Sequence, residues 1–163
     1  MHESRLYPAA IEIQVYAALL LKFFNRALEE RLRESGEKAS SLQYSILRML
    51  QSDTLTISEL SQRMGLDPST LVRSVDALER EDLARRGSDP RDRRRNPITI
   101  TEKGMELVTT VPVIAHEDLT SQALQSFGIE STIQLRDLLR RLITEFPEGK
   151  MVAELISGQT GRP

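Results

Sequence analysis

The segment that decides the fold spans residues 56–83 and reads TISELSQRMGLDPSTLVRSVDALEREDL. Thr56 followed three residues later by Glu59 forms a capping box, which predicts the start of a short helix. Gly65 ends this helix, and Asp67 caps a second one. Two short amphipathic helices joined by a tight turn are typical of a helix-turn-helix, whose second helix enters the major groove of DNA.

The second of these helices has an apolar face and a polar face. Ser69, Thr70 and Arg73 fall on the polar face near the N-terminal end, where their side chains are suited to donate hydrogen bonds to base edges. We also expect free backbone N–H groups at this end to attract a DNA phosphate. The residues predicted to be buried recur at helical spacing and are Leu71, Val75 and Leu78. The second half of the helix is acidic and is expected to lie away from phosphates.

An arginine-rich stretch follows this helix. Residues 85–95 contain six arginines and two aspartates, a net charge of +4, whereas the whole chain carries −2. Residues 98–101 alternate like a strand, so we expect a β-hairpin wing beside the minor groove, whose negative potential favours arginine. Asp92 is expected to pair with a neighbouring arginine and stiffen the turn. The wing residues predicted to contact DNA are Arg91, Arg93, Arg94 and Arg95.

Two other interpretations stay open on the residue pattern alone. A helical hairpin with a solvated polar face, followed by a charged loop, has the same local pattern. A winged-helix adaptor would instead use its basic wing to bind an acidic protein. The position of the arginines directly after the second helix favours DNA over both.

Helical patterns flank this region. Residues 8–33 carry apolar side chains around nearly the whole helix, with Pro8 in its first turn, which suggests burial that is partly supplied by a second subunit. Another long helix is expected to start at Thr101 and to kink or break at Pro112, where a helical hydrogen bond is lost. Residues 133–146 form the last apolar stripe.

Composition limits the possible chemistry. Cysteine is absent and histidine occurs only at His2 and His116, which excludes disulfides, thiolate metal sites and cysteine nucleophiles. Since the sequence also has no glycine-rich phosphate loop or metal-spaced cluster, we expect no enzyme, metal or cofactor. The N-terminus has no secretory pattern and the longest apolar run, residues 15–21, is too short to span a bilayer. We therefore expect a cytoplasmic protein without membrane contact.

The sequence resembles the multiple-antibiotic-resistance regulator (MarR) family. The resemblance rests on ISELSQRMGLDPSTLVR at residues 57–73, on DPRDRRR at residues 89–95 and on ITITEKG at residues 98–104. It implies a mainly α fold with a small β-hairpin wing, in which a winged helix-turn-helix is joined to a helical dimerisation scaffold. The regions predicted from the pattern and the resemblance together are a DNA-binding domain at 40–101, a dimerisation region at 8–34 and 102–157, and a flexible tail at 158–163.

The resemblance also implies a function. It implies a sequence-specific transcriptional regulator, by default a repressor, that binds a pseudo-palindromic operator in double-stranded DNA as a homodimer of its first, fifth and sixth helices. Asp92 and Arg94 would form the wing's ion pair, and Arg93 or Arg94 would reach the minor groove. Ser69, Thr70 and Arg73 match the family's major-groove readers.

A small aromatic or lipophilic effector between the scaffold and the DNA-binding domain is a further implication of the resemblance. The candidate effector-lining residues are Tyr16, Phe23, Tyr44 and His116, although aromatic residues on helices more often belong to an ordinary core. The chain departs from the family pattern at Pro112, which affects the geometry of the dimer arm. The absence of cysteine excludes sensing by thiol oxidation.

Overall fold

The computed structural model describes residues 3–88, 96–147, 149–150 and 153–154. The chain divides into two compact units, residues 1–115 and residues 116–163. The predicted tail at 158–163 lies outside the described residues. Helices account for most of the described chain, and the only strands among the described residues form one antiparallel hairpin. The predicted fold class, mainly α with a small hairpin wing, is therefore confirmed.

The first unit holds five helices and both strands among its described residues. The helices are α1 (Glu3–Glu34), α2 (Ser41–Leu50), α3 (Ile57–Met64), α4 (Pro68–Arg80) and α5 (Glu102–Thr110), and the strands are β1 (Ala84–Arg86) and β2 (Ile98–Ile100). The second unit holds α6 (Leu119–Phe127) and α7 (Ile129–Thr144).

Helix starts follow the local capping signals. Ser40 caps α2 and Thr56 caps α3, each in a complete capping box with the residue three positions on. Gly65 ends α3 with a φ of 63°, a left-handed conformation that glycine adopts without steric cost. These boundaries agree with the sequence, because a cap involves only residues within one turn.

The start of α1 differs from the prediction. The helix begins at Glu3, so that Pro8 lies inside it rather than in its first turn. Pro8 has no N–H to donate to the carbonyl of Ser4, and the helix therefore lacks one hydrogen bond near its end. Residues 5–24 are all exposed in the single chain.

The core of the first unit joins the C-terminal end of α1 to α2–α5 and the hairpin. Leu55 and Ile98 exchange two backbone hydrogen bonds of 3.2 and 2.7 Å, which attach the segment before α3 to β2. The largest fully buried side chains are Tyr44, Leu32, Ile46, Leu47, Leu60, Leu71, Leu78, Leu83, Ile98 and Val75. This core fixes the orientation of α4.

The predicted break at Pro112 is present. Helix α5 ends at Thr110, Val111 is extended, and the next helix starts only at Leu119. Side chains of α1 and α2 pair with the carbonyl groups that the break releases. The Tyr44 hydroxyl donates to the carbonyl of Val111, and the Arg31 guanidinium donates to the carbonyls of Pro112, at 3.1 Å, and of Val113.

Helix α1 leaves most of its apolar surface uncovered. Eleven large apolar side chains between residues 6 and 24 are exposed. An 18-residue window of this helix has a mean hydropathy of 1.3, so α1 is long and apolar enough to cross a membrane by length and composition alone. The uninterrupted apolar run, residues 15–21, is shorter than this window, and one helix of this kind is weak evidence for a membrane span. A helix that packs against another protein chain passes the same test.

Removal of the Tyr44 hydroxyl tests the contact at the break. Tyr44→Phe leaves the buried carbonyl of Val111 without this donor, so we expect the free energy of unfolding at pH 7 to fall by about 1 kcal/mol. Burial raises the pKa of Tyr44. The positive charges of Arg48 and Arg31 lower it by a smaller amount, so the net shift is upward. The stabilisation is therefore complete below the ordinary pKa of 10.0 and is lost as the pH rises through the raised value.

The difference in the free energy of unfolding between wild type and Tyr44→Phe should accordingly become smaller above pH 10.0. Urea unfolding at one fixed protein concentration measures both effects. Tyr7→Phe is the matched control: Tyr7 is 73% exposed in the single chain, and the variant removes only the hydroxyl and keeps the apolar ring, so it should unfold like the wild type. Equal stability of the two variants at pH 7 would show that the Tyr44 hydrogen bond contributes nothing.

Candidate nucleic-acid interface

Helix α4 presents the predicted polar face to solvent. Its residues Leu71, Val75 and Leu78 are almost completely buried. Ser69, Thr70 and Arg73 are exposed, as predicted, on the part of the helix nearest its N-terminus. Arg73 makes no hydrogen bond or ion pair with any other described residue, so its guanidinium remains available to a ligand.

The N-terminus of α4 is not an open anion site, and here the sequence expectation was wrong. Pro68 has no N–H, and the N–H of Ser69 donates to the Asp67 carboxylate at 2.8 Å. The N–H groups of Thr70 and Leu71 both donate to the Asp67 carbonyl, at 3.1 and 3.3 Å. Asp67 thus occupies the groups that a phosphate would use.

The cap lowers the pKa of Asp67. The hydrogen bond from the Ser69 side chain has the larger effect and that from the Ser69 backbone N–H the smaller one, and together they lower the pKa of Asp67 below the usual 3.8. The Asp67 carboxylate is therefore charged at neutral pH and repels phosphate at this end of the helix. Lysine and arginine side chains, rather than this helix terminus, are the groups suited to attract phosphate.

Arg86 binds the acidic half of α4. Its guanidinium lies 2.7 Å from the Asp76 carboxylate and also contacts that of Glu79. Its backbone N–H donates to Glu79 Oε1 at 2.8 Å. Arg86 is one of the six arginines counted in the basic stretch, but its charge is paired with two carboxylates of α4. These contacts attach β1 to α4. Composition alone could not separate this arginine from the others.

The TEKG motif at residues 101–104 holds the turn between α4 and β1. The Thr101 hydroxyl donates to the carbonyl of Asp82 at 2.7 Å and accepts from the N–H of Gly104 at 3.1 Å. Lys103 donates to the carbonyl of Glu81 at 2.8 Å. A Cβ at Gly104 would lie 2.1 Å from the carbonyl oxygen of Leu83, so only glycine fits there. Sequence reasoning assigned this motif only to the start of a helix.

The base of the wing is described, whereas its tip is not. Gly87 donates to the carbonyl of Pro97 at 2.7 Å, which continues the β1–β2 ladder by one hydrogen bond. Arg85 donates to the Thr99 hydroxyl at 3.3 Å. The predicted wing residues Arg91, Asp92, Arg93, Arg94 and Arg95 lie outside the described residues, and their roles stay predictions.

The candidate effector residues have different environments. Tyr16 and Phe23 are exposed on α1, and His116 is exposed in the second unit. Tyr44 is fully buried, and its hydroxyl already donates to a carbonyl of the same unit. Tyr44 therefore acts as a core residue, while an effector role for all four stays a prediction. Among the described residues, no group of three or more His, Asp or Glu is placed to hold a metal ion.

Comparison with known proteins identifies the family. The MarR family model matches residues 40–95. The uncharacterized HTH-type transcriptional regulator YxaD of Bacillus subtilis is 37% identical over 131 residues, which cover 78% of this chain and 90% of that protein. A second uncharacterized HTH-type transcriptional regulator of Bacillus subtilis, YhbI, is 34% identical over 73 residues, 44% of this chain and 47% of that protein. This chain belongs to the MarR family of transcriptional regulators.

Solved structures show the same fold. A mutant MarR from E. coli complexed with operator DNA has a TM-score of 0.74 at 19% identity, covering 85% of this chain and 98% of that chain. The transcriptional regulator BldR from Sulfolobus solfataricus has a TM-score of 0.66 at 22% identity, covering 90% and 99%. Reduced AbfR bound to DNA has a TM-score of 0.68 at 21% identity, covering 87% and 96%. The winged-helix architecture predicted from the sequence is confirmed.

The two carboxylates held by Arg86 should contribute unequally to stability. Glu79→Ala removes a charged acceptor from a backbone N–H, and we expect the free energy of unfolding to fall by about 1–2 kcal/mol. Asp76→Ala removes only a half-exposed ion pair, so its effect should stay below about 0.5 kcal/mol. Glu79→Gln keeps an oxygen that can accept from the backbone N–H of Arg86. Its loss of stability should therefore lie between those of the two alanine variants. Urea unfolding measures all three, and an equal loss in the two alanine variants would contradict this assignment.

Proposed function

We propose that this chain is a sequence-specific DNA-binding transcriptional repressor that acts as a homodimer on a pseudo-palindromic operator. The observation that carries the proposal is the exposed face of α4, where Ser69, Thr70 and Arg73 stand free of the core. The base of a wing whose tip is rich in arginine packs against the same helix through Arg86. An amphipathic helix with an adjoining basic wing suits a major groove and the neighbouring minor groove.

A second copy of the chain is the partner we propose for α1. Eleven exposed apolar side chains between residues 6 and 24 are unfavourable in water, and covering each one contributes on the order of 1 kcal/mol. In the second unit α7 has no buried residue among those described, and its exposed apolar residues include Leu138 and Leu142. We therefore assign dimerisation to residues 8–34 and 102–157, and DNA binding to residues 40–101.

Dimerisation also follows from the size of the DNA-binding surface. One reading helix contacts few base pairs, and a two-fold dimer on a pseudo-palindrome squares its discrimination. A small aromatic or lipophilic effector would release the DNA only by binding one spacing of the two DNA-binding domains better than the other. Because promoter DNA is the proposed target, we infer a cytoplasmic location.

Titration against promoter DNA tests the function. The purified protein is added to the DNA upstream of its own gene and to scrambled DNA of equal length, at two salt concentrations. A preference of about a thousandfold with one dimer per site is expected. Weak and equal binding to both DNAs would contradict the proposal and favour a protein adaptor with a basic wing.

Two sets of arginine variants should affect binding in different ways. Arg73→Ala should relax the preference at one position in each half-site, at a cost of about 1–3 kcal/mol, because a bidentate contact to guanine is lost. Replacing Arg93 and Arg94 by alanine should weaken binding to every sequence and flatten its salt dependence. Binding curves over several salt concentrations measure both. An unchanged preference in Arg73→Ala, with folding intact, would remove Arg73 from the readers.

A charge on the exposed face of α1 tests the dimer. Leu20 is exposed in the single chain, so Leu20→Glu should leave the DNA-binding domain folded, shift sedimentation from dimer to monomer and weaken operator binding at least tenfold. Glu12→Gln on the same helix is the control and should stay dimeric. Wild-type protein that is monomeric, or that partitions into lipid vesicles through α1, would contradict a second copy as the partner.

A further inference from the structure

Val72 differs in burial from the other large apolar side chains of residues 25–112. Among the described residues between 25 and 112, it is the only large apolar side chain that is exposed, at 39%. The other exposed large apolar side chains of the described residues belong to α1 or follow Pro112. The remaining large apolar side chains of residues 25–112 are buried or partly buried, and the most exposed one, Val72, lies on α4.

Neither the core nor the helix requires valine at this position. Leu71 and Val75, the buried residues before and after Val72 in the sequence of α4, already fill the core. Valine is also a poorer helix former than alanine or the long polar residues, because its χ1 is restricted in a helix. A single exposed apolar residue is common on protein surfaces. Its location, however, is the surface that we propose for reading DNA.

The neighbours of Val72 define what it would meet. Ser69 precedes it by three residues, so the two side chains are adjacent on the helix surface, and Arg73 follows directly. In the major groove, the apolar feature of a base pair is the C5 methyl of thymine, and apolar side chains contact it. The stiff χ1 of valine holds its two methyl groups in place, so little rotamer freedom is lost on binding.

We propose that Val72 is a specificity-determining residue that recognises the C5 methyl group of a pyrimidine in the major groove. This inference rests on the proposed function. Thymine and 5-methylcytosine both present this group. Val72 and Arg73 project in different directions from α4, since an α-helix has 3.6 residues per turn. The methylated pyrimidine should therefore be a different base of the half-site from the one that we assign to Arg73.

Removing single methyl groups from the operator tests the proposal. In each half-site, one thymine at a time is replaced by deoxyuridine, which lacks only the C5 methyl. Wild-type protein should lose affinity about fourfold per half-site at one symmetric position, the effect expected for one methyl group. Val72→Ala should bind the thymine and deoxyuridine operators equally at that position. It should keep the wild-type preference at the guanine that we assign to Arg73.

A matched variant and a second modification sharpen the result. Val72→Thr keeps one of the two methyl groups and should show an intermediate response. If the position holds cytosine, 5-methylcytosine should strengthen binding by wild type but not by Val72→Ala, which distinguishes the two sources of the methyl group. Circular dichroism controls for folding, which the exposed position should not affect.

The outcomes separate the two proposals. Specific operator binding in which wild type and Val72→Ala respond identically to every methyl change would overturn the role of Val72 and leave the proposed function intact. The role of Val72 would also be overturned, with the proposed function intact, if the operator affinity of the wild type did not change on removal of any methyl group. Absence of specific binding to any promoter DNA would overturn both proposals together.

Discussion

Burial of one face of α4 is the constraint on which the rest of the first unit depends. Leu71, Val75 and Leu78 recur at intervals of four and three residues and are almost inaccessible to solvent. Each contributes on the order of 2 kcal/mol on burial, so any rotation of α4 about its axis is strongly unfavourable. The helix can therefore present only one surface outward. Because Leu71, Val75 and Leu78 must be buried, the outward surface carries the side chains of Ser69, Thr70, Val72 and Arg73.

Charge divides this helix into two parts with different tasks. In its second half, Asp76 and Glu79 bind Arg86, and this contact attaches the wing's first strand to the helix. In its first half, Arg73 keeps a free guanidinium beside polar and apolar side chains. The acidic half would repel phosphate more strongly if it were unpaired, so the contacts of Arg86 both reduce that repulsion and attach the wing's first strand. One arginine-rich stretch thus supplies a structural contact at its start and, by our proposal, DNA contacts at its tip.

The features that the sequence predicted are local ones. The caps at Thr56 and Asp67 and the break at Pro112 depend on residues within a turn of each other, and all were identified. The contacts that it did not predict join residues distant in the chain, such as Tyr44 with Val111. The occupied N–H groups of α4 were also missed, since a cap residue that was correctly identified still leaves open how many donors it binds. Val72 could be singled out only once the other large apolar side chains of residues 25–112 were known to be buried or partly buried.

The break at Pro112 changes how α1 and the DNA-binding domain are connected. In a continuous helix, residues 111–113 would follow the axis of α5, and their direction would be set by helical hydrogen bonds. Here their three carbonyl groups are bound by Tyr44 of α2 and Arg31 of α1. Any movement of the C-terminal end of α1 therefore reaches these residues directly through Arg31, without passing along α5. If α1 forms the dimer interface, the same helix carries the apolar contact between subunits and the polar contact that sets where the chain leaves the first unit.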